Sequence, residues 1–395
     1  MIIIMIKSAS LYTFEIDDCD KALEEIKIQF NEKLTLLKNT AGIVHCSYDF
    51  IESGVVKRVC DTFDFPIVGT TSAAQAVNSA GGNFMFTMLI LTSDDVEFFA
   101  GCSKGHKDDF SGSIERTFPI LSEVSALPLK MAFVFPPLTD NNEGDSYVHV
   151  FEKLCGNVPI FGTLAVEEAI ISYAQTETIY NGESFEEEAT YLLAFGNINP
   201  RFIVTSIPEK SSLIQAGTIT KAEGNILYEI DGVPAVDFFE RIGLAKDNKL
   251  VSGIEFMPFI LSVSNKDNGQ SSCFVRGFVS FLGDGSVLCR GTMYEGASLV
   301  IGSNSAEDIL ASSKKAIEAL NKEQNIQAAL IYSCVVRRIA LVNDPQLELK
   351  SVRNSISPEI PFMIAYSGGE ICPEFMTGNA VQNRFHNFSF IICLL

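Results

Sequence analysis

The chain has 395 residues, enough for two or three domains of roughly 150 residues each and for a large core. Acidic residues outnumber basic ones 49 to 29, and a net charge of −20 repels phosphate backbones and anionic lipid headgroups, which argues against nucleic acid and membrane surfaces as partners. A composition 47% hydrophobic and 20% charged excludes disorder, collagen-like repeats and coiled coil.

The first apolar run, Met1 to Ile6, is closed by Lys7 and is far shorter than a membrane span or the core of a secretion signal, so it reads as a buried strand. Asp20 to Lys38 then places Leu23, Ile26, Phe30, Leu34 and Leu37 on one helical face. Next comes a plan that recurs three times: an apolar strand, an amphipathic segment, and a strand led by proline and ending in small residues. Its first copy runs from Ala41–Ser47, through Ile51, Val55 and Val59, to Phe65–Thr71. The second runs from Met131–Phe135, through Val148, Phe151, Leu154 and Cys155, to Val158–Leu164. The third runs from Ala328–Ser333, through Leu347 to Ile356, to Ile360–Ala365. Pro66–Thr70 and Pro159–Thr163 agree at four of five positions, and nine residues after the three prolines stand Gln75, Glu168 and Glu370. Each copy is followed by further strand, at Phe84–Leu91 and Val96–Ala100, at Tyr191–Phe195 and Phe202–Ile207, and at Asn387–Leu395. The recurring element is β-α-β-β, and it predicts a mixed α/β fold of layered sheets and helices in two packed lobes.

Between the second and third copies, Asp231–Pro234 marks a turn between Ile226–Ile230 and a short segment at Val236–Arg241. Asp284-Gly285 joins two β-rich runs and is the strongest hairpin signal in the chain. Ser305 to Leu320 reads as a second surface helix with Ser305 and Asp308 as its capping pair. No linker-like stretch separates the halves, and a boundary near residue 220 is expected between packed lobes. The ten cysteines form no C-x-x-C pair and sit mostly in apolar runs, which reads as reduced core thiols in a cytoplasmic protein. None of the four histidines lies near cysteines at zinc spacing. Gly81-Gly82 and Gly283–Gly285 lack a nucleotide-binding context and read as hairpin turns.

The order of these motifs resembles the FIST family. Pro66–Gln75 and Pro159–Thr163 match its N-terminal portion; Leu227–Ala235, Asp284–Ser286, Tyr294–Gly296, Tyr332–Arg337, Tyr366–Ile371 and Phe385–Ser389 match its C-terminal portion. The resemblance covers nearly the whole chain and implies an N-terminal domain over 1–220 and a C-terminal domain over 221–395. Two positions depart from the family pattern: Gln75 replaces an acidic residue, and the terminal motif reads His386-Asn-Phe-Ser. The resemblance implies a sensory module of signal transduction, not an enzyme, that binds a small molecule such as an amino acid and reports to a partner such as a kinase or chemoreceptor. With no output domain in the chain, it is expected to act as a stand-alone sensor.

Two kinds of reading stand side by side for each candidate residue. Arg337, at a strand end, offers a planar fork for a ligand carboxylate, or forms a salt bridge with one of the 49 acidic residues. Glu370, after two glycines, takes a ligand ammonium, or is a solvated or helix-capping acid. His386 is a polar pocket residue, a haem ligand or a core imidazole; Asn387 accompanies it, and Cys334, Ser72, Thr163 and Glu168 complete the ligand-binding candidates. No cofactor is predicted, but a haem-binding nitric-oxide sensor is the alternative, with His386, His45 or His149 as the axial ligand and no C-x-x-C-H for covalent attachment. A further alternative pairs Cys334 as thiol nucleophile with His386 as base, against which burial of the thiol counts.

Overall fold

The computed structural model describes residues 6–105, 109–139, 144–167, 175–206, 212–247, 249–251, 256–264, 271–302, 304–377 and 380–395. The first unit contains β1 (Ile6–Thr13), α1 (Cys19–Lys33), β2 (Asn39–Cys46), α2 (Asp49–Glu52), α3 (Val55–Cys60), β3 (Ile67–Thr71), β4 (Gln75–Val77), β5 (Gly81–Gly82) and β6 (Phe86–Ser93). The second contains β7 (Val96–Cys102), α4 (Phe110–Ser122), β8 (Leu129–Phe135), α5 (Gly144–Cys155), β9 (Ile160–Thr163), β10 (Thr178–Tyr180), β11 (Glu183–Phe185) and β12 (Thr190–Gly196). The third begins with β13 (Arg201–Thr205) and is interrupted by an insertion: β14 (Ser212–Glu223), β15 (Ile226–Ile230), β16 (Val233–Pro234), α6 (Ala235–Arg241), β17 (Ala245–Lys246), β18 (Lys249–Leu250), β19 (Phe259–Ser264), β20 (Ser271–Phe281), β21 (Val287–Arg290) and β22 (Ser298–Gly302). It resumes with α7 (Ala306–Leu320), β23 (Ala329–Cys334), α8 (Val335–Ala340), α9 (Leu347–Ser355), β24 (Phe362–Ser367), β25 (Glu370–Thr377), β26 (Ala380–His386) and β27 (Phe390–Leu394).

The three repeats seen in the sequence build three sheets of one design, with orders β1-β6-β2-β3-β10-β11, β7-β12-β8-β9-β25-β26 and β13-β27-β23-β24-β4-β5. In each, the two strands of the repeat pair in parallel across their helical connection, and the strand that follows returns antiparallel beside the first. The short hairpins are exchanged in a circle: β4-β5 joins the third sheet, β10-β11 the first, β25-β26 the second. Three backbone bonds close that circle where the small-residue strand ends cross: Tyr366 N–H to Ala74, Val166 N–H to Thr71 and Gly368 N–H to Leu164. Small residues are required there because backbones approach closely. A Cβ on Gly69 or Gly162 would stand 1.8 Å from the carbonyl oxygen of Val44 or Val134 on the neighbouring parallel strand, which accounts for the glycine shared by the first two prolyl strands.

Successive strand residues point to opposite faces, and both faces are buried. Ile43, Phe133 and Leu330 enter a central core shared by the three sheets. Their neighbours Val44, Val134 and Ile331 pack outward under helices, against α1 and α3, α4 and α5, and α7 and α9 respectively. This explains why the strands read as continuous apolar runs. The insertion is a separate core: β14-β22-β19-β20-β21-β15 closes into a six-stranded barrel through the β14–β15 pairing, around Phe239, Phe259 and Leu299.

Several expectations are adjusted. The first helix stops at Lys33, where Leu34 turns extended (φ −140°) and Leu37 N–H goes to Thr92 Oγ1 at 2.8 Å; Leu34 stays buried without being helical. Gly54 (φ +85°) divides the first connecting helix into α2 and α3. Ser305 caps α7 as expected, its Oγ accepting from Asp308 N–H at 3.2 Å. Gly81-Gly82 is strand β5 of a hairpin rather than its turn. Met1–Met5, the bulk of the expected first strand, lie outside the described residues. No helix among the described residues is long and apolar enough to cross a membrane.

Candidate functional site

A cavity of about 690 Å³ opens between β13, the first half of β20 in the barrel, and the β25-β26 hairpin. Two of the residues singled out in the sequence, His386 and Asn387, line it, and Ser389 stands beside them. The chemistry of its wall is dominated by side chains that the sequence reading passed over: Arg276, Arg384, Phe274 and Glu374, with Arg201 at the rim. On β26, Arg384 and His386 are two residues apart and therefore share a face, as Phe274 and Arg276 do on β20. That alternation was the available signal.

The two inner guanidinium groups differ in what they have left to give. Arg276, 1% exposed, donates Nε–H to Thr292 O at 3.1 Å, Nη1 to Val275 O and Phe385 O at 3.0 and 3.3 Å, and Nη2 to the Asp145 carboxylate at 3.3 Å. Its donors are spent, and it pins the barrel to the hairpin. Arg384 is held through Nε by Glu374 at 2.7 Å and stacks over the Phe274 ring at 4.5 Å, while Nη1 and Nη2 bond to no described residue. A planar, oriented guanidinium with two parallel donors free is the geometry that takes a carboxylate in bidentate fashion.

His386 donates Nε2–H to the Cys372 carbonyl at 3.1 Å. Burial, assisted by the positive charges of Arg276 and Arg384, lowers its pKa to about 4, so at neutral pH the ring is uncharged and Nδ1 is an acceptor. Asn387 spends Nδ2 on Arg290 O at 3.0 Å, leaving its carbonyl oxygen as an acceptor. One donor fork thus faces a set of acceptors, an arrangement suited to a molecule bearing both a carboxylate and an amino group.

Arg337, Glu370, Cys334, Ser72 and Thr163 do not line this cavity. Arg337 is wholly buried; Nη2 contacts Glu348 Oε1 at 2.5 Å and Ile309 O at 3.0 Å, and Nη1 donates to Phe388 O at 3.3 Å. The salt bridge is therefore what the structure gives this residue. Glu370 lies one layer behind the cavity: Oε2 accepts from the backbone and hydroxyl of Ser389, while Oε1 is buried with no hydrogen bond from a described residue. Burial raises its pKa to about 7 against the hydroxyls of Ser389 and Ser367 and the more distant charge of Arg337. Ser72 donates to Tyr366 O at 2.8 Å and Thr163 to Ser367 Oγ at 2.6 Å, tying the crossing loops together. Glu168 lies outside the described residues. The thiol of Cys334 is buried and its pKa is pushed up, first by burial and then by Glu370, which counts against it as a nucleophile.

Of the three histidines offered as axial ligands, two have ring nitrogens already engaged. His45 is fully enclosed, with Nδ1 donating to Thr70 O at 3.3 Å and Nε2 accepting from Tyr332 at 3.0 Å; burial lowers its pKa to about 3, and neither nitrogen is free for iron. His149 is exposed on α5. His386 lines a cavity of mixed character, in which Arg276, Arg384 and Glu374 stand beside Phe202, Phe274 and Phe385, and its Nε2 is committed to the Cys372 carbonyl.

Comparison with known families finds that residues 40–233 match the FIST N domain and residues 235–373 the FIST C domain. No curated protein matches the chain.

Proposed function

Because the chain belongs to the FIST family, whose domains are sensory modules of signal transduction, we propose that it binds a small carboxylate-bearing metabolite of the amino-acid class in the cavity beside the barrel. Arg384 receives the carboxylate; Glu374, Asn387 and His386 Nδ1 accept from the amino group; Phe274 supplies apolar area. Arg337, Glu370, Cys334, Ser72 and Thr163 hold the wall that carries these groups and do not touch the ligand. The observation that carries this reading is the Arg384 guanidinium, oriented by Glu374 and Phe274 with Nη1 and Nη2 uncommitted among the described residues.

Reporting requires that the ligand favour one arrangement of barrel and hairpin over another, since only differential affinity shifts an equilibrium. Asn387, Arg276 and the buried ring of Phe388 all bridge hairpin and barrel, so the cavity wall is the joint itself. The recipient is a signalling protein of the kinase or chemoreceptor kind, and the setting is the cytoplasm. A thermal-shift screen of the purified protein against the common amino acids and dicarboxylates, repeated with Arg384→Gln, tests this. A stabilising ligand whose effect is lost in the variant supports the reading; ligands that stabilise both proteins equally remove it.

A further inference from the structure

Among the described residues, the non-glycine positions with positive φ are Asn181, Asp231, Asp247, Asn325 and Phe388. Asparagine and aspartate tolerate the left-handed region because their short side chains bond locally. Phe388, at φ +57° and 1% exposed, has no such excuse. A bulky residue held there is strained, and the strain persists only where the surroundings over-determine it.

Here every residue of the turn is gripped. The Phe388 ring packs on Ile260 and Val275 of the barrel and against Val336 of α8, and its carbonyl accepts from Arg337 Nη1 at 3.3 Å. Ser389 gives its N–H and hydroxyl to Glu370 Oε2, and its carbonyl accepts from Cys334 N–H at 3.0 Å. Asn387 is tied to Arg290 O at 3.0 Å and His386 to Cys372 O at 3.1 Å. Three of the segments that carry the family resemblance, Tyr332–Arg337, Tyr366–Ile371 and Phe385–Ser389, thus meet at one turn, yet only the last of them lines the cavity. The cavity has His386, Asn387 and Ser389 in its wall, and Phe388, from between them, sits in the seam where the barrel meets α8.

We propose that residues 386–389 are a strained latch between the barrel and the three-sheet body. With Phe388 seated in the seam, the cavity wall is formed. When the turn relaxes to negative φ, the ring leaves the seam and the barrel is freed from α8. Arg337 and Glu370 hold the latch, which gives these two buried residues a part in signalling without ligand contact. The inference rests on the ligand site proposed above for what operates the latch: a molecule that touches His386 and Asn387 in their present places binds the seated turn better than the released one, and so keeps it shut.

Cys334 supplies the readout: its thiol is 4% exposed and takes a backbone hydrogen bond from Phe388, so a reagent reaches it when the turn lets go. In the full chain, labelling by N-ethylmaleimide, followed at each cysteine by mass spectrometry, should modify Cys334 at least about tenfold faster than Cys46 and Cys393, which are wholly enclosed and report global unfolding. Ser389→Ala, which loosens the grip of Glu370, should raise the Cys334 rate about fivefold. Phe388→Ala loses the ring and keeps the strain, whereas Phe388→Gly loses both, so the alanine variant should label about fivefold faster at Cys334. Cys46 and Cys393 check that both variants fold. Equal Cys334 rates in these two variants, or Cys334 labelling that tracks Cys46 and Cys393 throughout, overturns the latch. A compound from the panel of common amino acids and dicarboxylates that raises the melting temperature should slow Cys334 labelling by about threefold or more at saturation. A thermal shift with an unchanged Cys334 rate overturns the link between latch and cavity and leaves the ligand site standing. A panel without any thermal shift removes the small-ligand reading, while the variant series decides the latch by itself.

Discussion

Replacing Glu370 by glutamine isolates the energetic consequence of burying a carboxyl that has hydrogen bonds from Ser389 to one oxygen only. In the folded protein its pKa rises from the ordinary 4.5 to about 7, with burial the largest cause and the Ser389, Ser367 and Arg337 contacts opposing it. The unfolded chain therefore releases this proton first. Between about pH 4.5 and 7 the unfolded state binds fewer protons than the folded one, and stability falls as pH rises through that window, then levels off. At about 1.4 kcal/mol per pH unit, the displacement amounts to about 3 kcal/mol. Glutamine is neutral throughout and lacks this loss. Urea unfolding of both proteins at pH 5, 6, 7 and 8 should show the variant gaining about 2.5 kcal/mol on the wild type across the series, the part of the displacement that lies above pH 5, whatever its offset at pH 5. Parallel curves would refute the reasoning, because they would mean that Glu370 ionises in the fold as it does in water.

Other consequences are equally concrete. Arg337→Met strands the Glu348 carboxylate, whose partner is lost at 0% exposure, and should cost about 3–5 kcal/mol in chemical denaturation; loss of ligand binding without loss of stability would instead restore a contact role for Arg337. Arg384→Gln should change stability by less than about 1 kcal/mol, its ion pair being partly exposed, yet lower ligand affinity by about tenfold or more in calorimetry. Gly69→Ala places a methyl against the Val44 carbonyl and should destabilise on the order of 3 kcal/mol, read as a fall in urea midpoint. Cys273 is the exposed cysteine among the described residues and lines the cavity, so a bound ligand should slow its alkylation by iodoacetamide, followed by mass spectrometry, while alkylation of Cys19, far from the site, keeps its rate.

The repeat was legible because strands buried on both faces must be apolar throughout, and the prolyl strand with its small-residue end is a local pattern that survives in the sequence. So were the capped helix after Ser305 and the Asp284-Gly285 turn, where Asp284 accepts from Ser286 N–H at 3.0 Å. The sequence alone thus determined the class of fold and the family, and it singled out His386 and Asn387, which line the cavity. Only the tertiary structure decided that the hairpins are exchanged among the sheets and that the insertion closes into a barrel, because strand pairing across more than a hundred residues depends on which edges meet, not on the local pattern. The same holds for the site. Arg337 and Arg384 are alike as letters in a chain. Glu348, eleven residues on and brought back by α9, consumes the first, whereas Glu374 and Phe274 merely orient the second. Which guanidinium is left with donors to offer a ligand is settled by its neighbours in space.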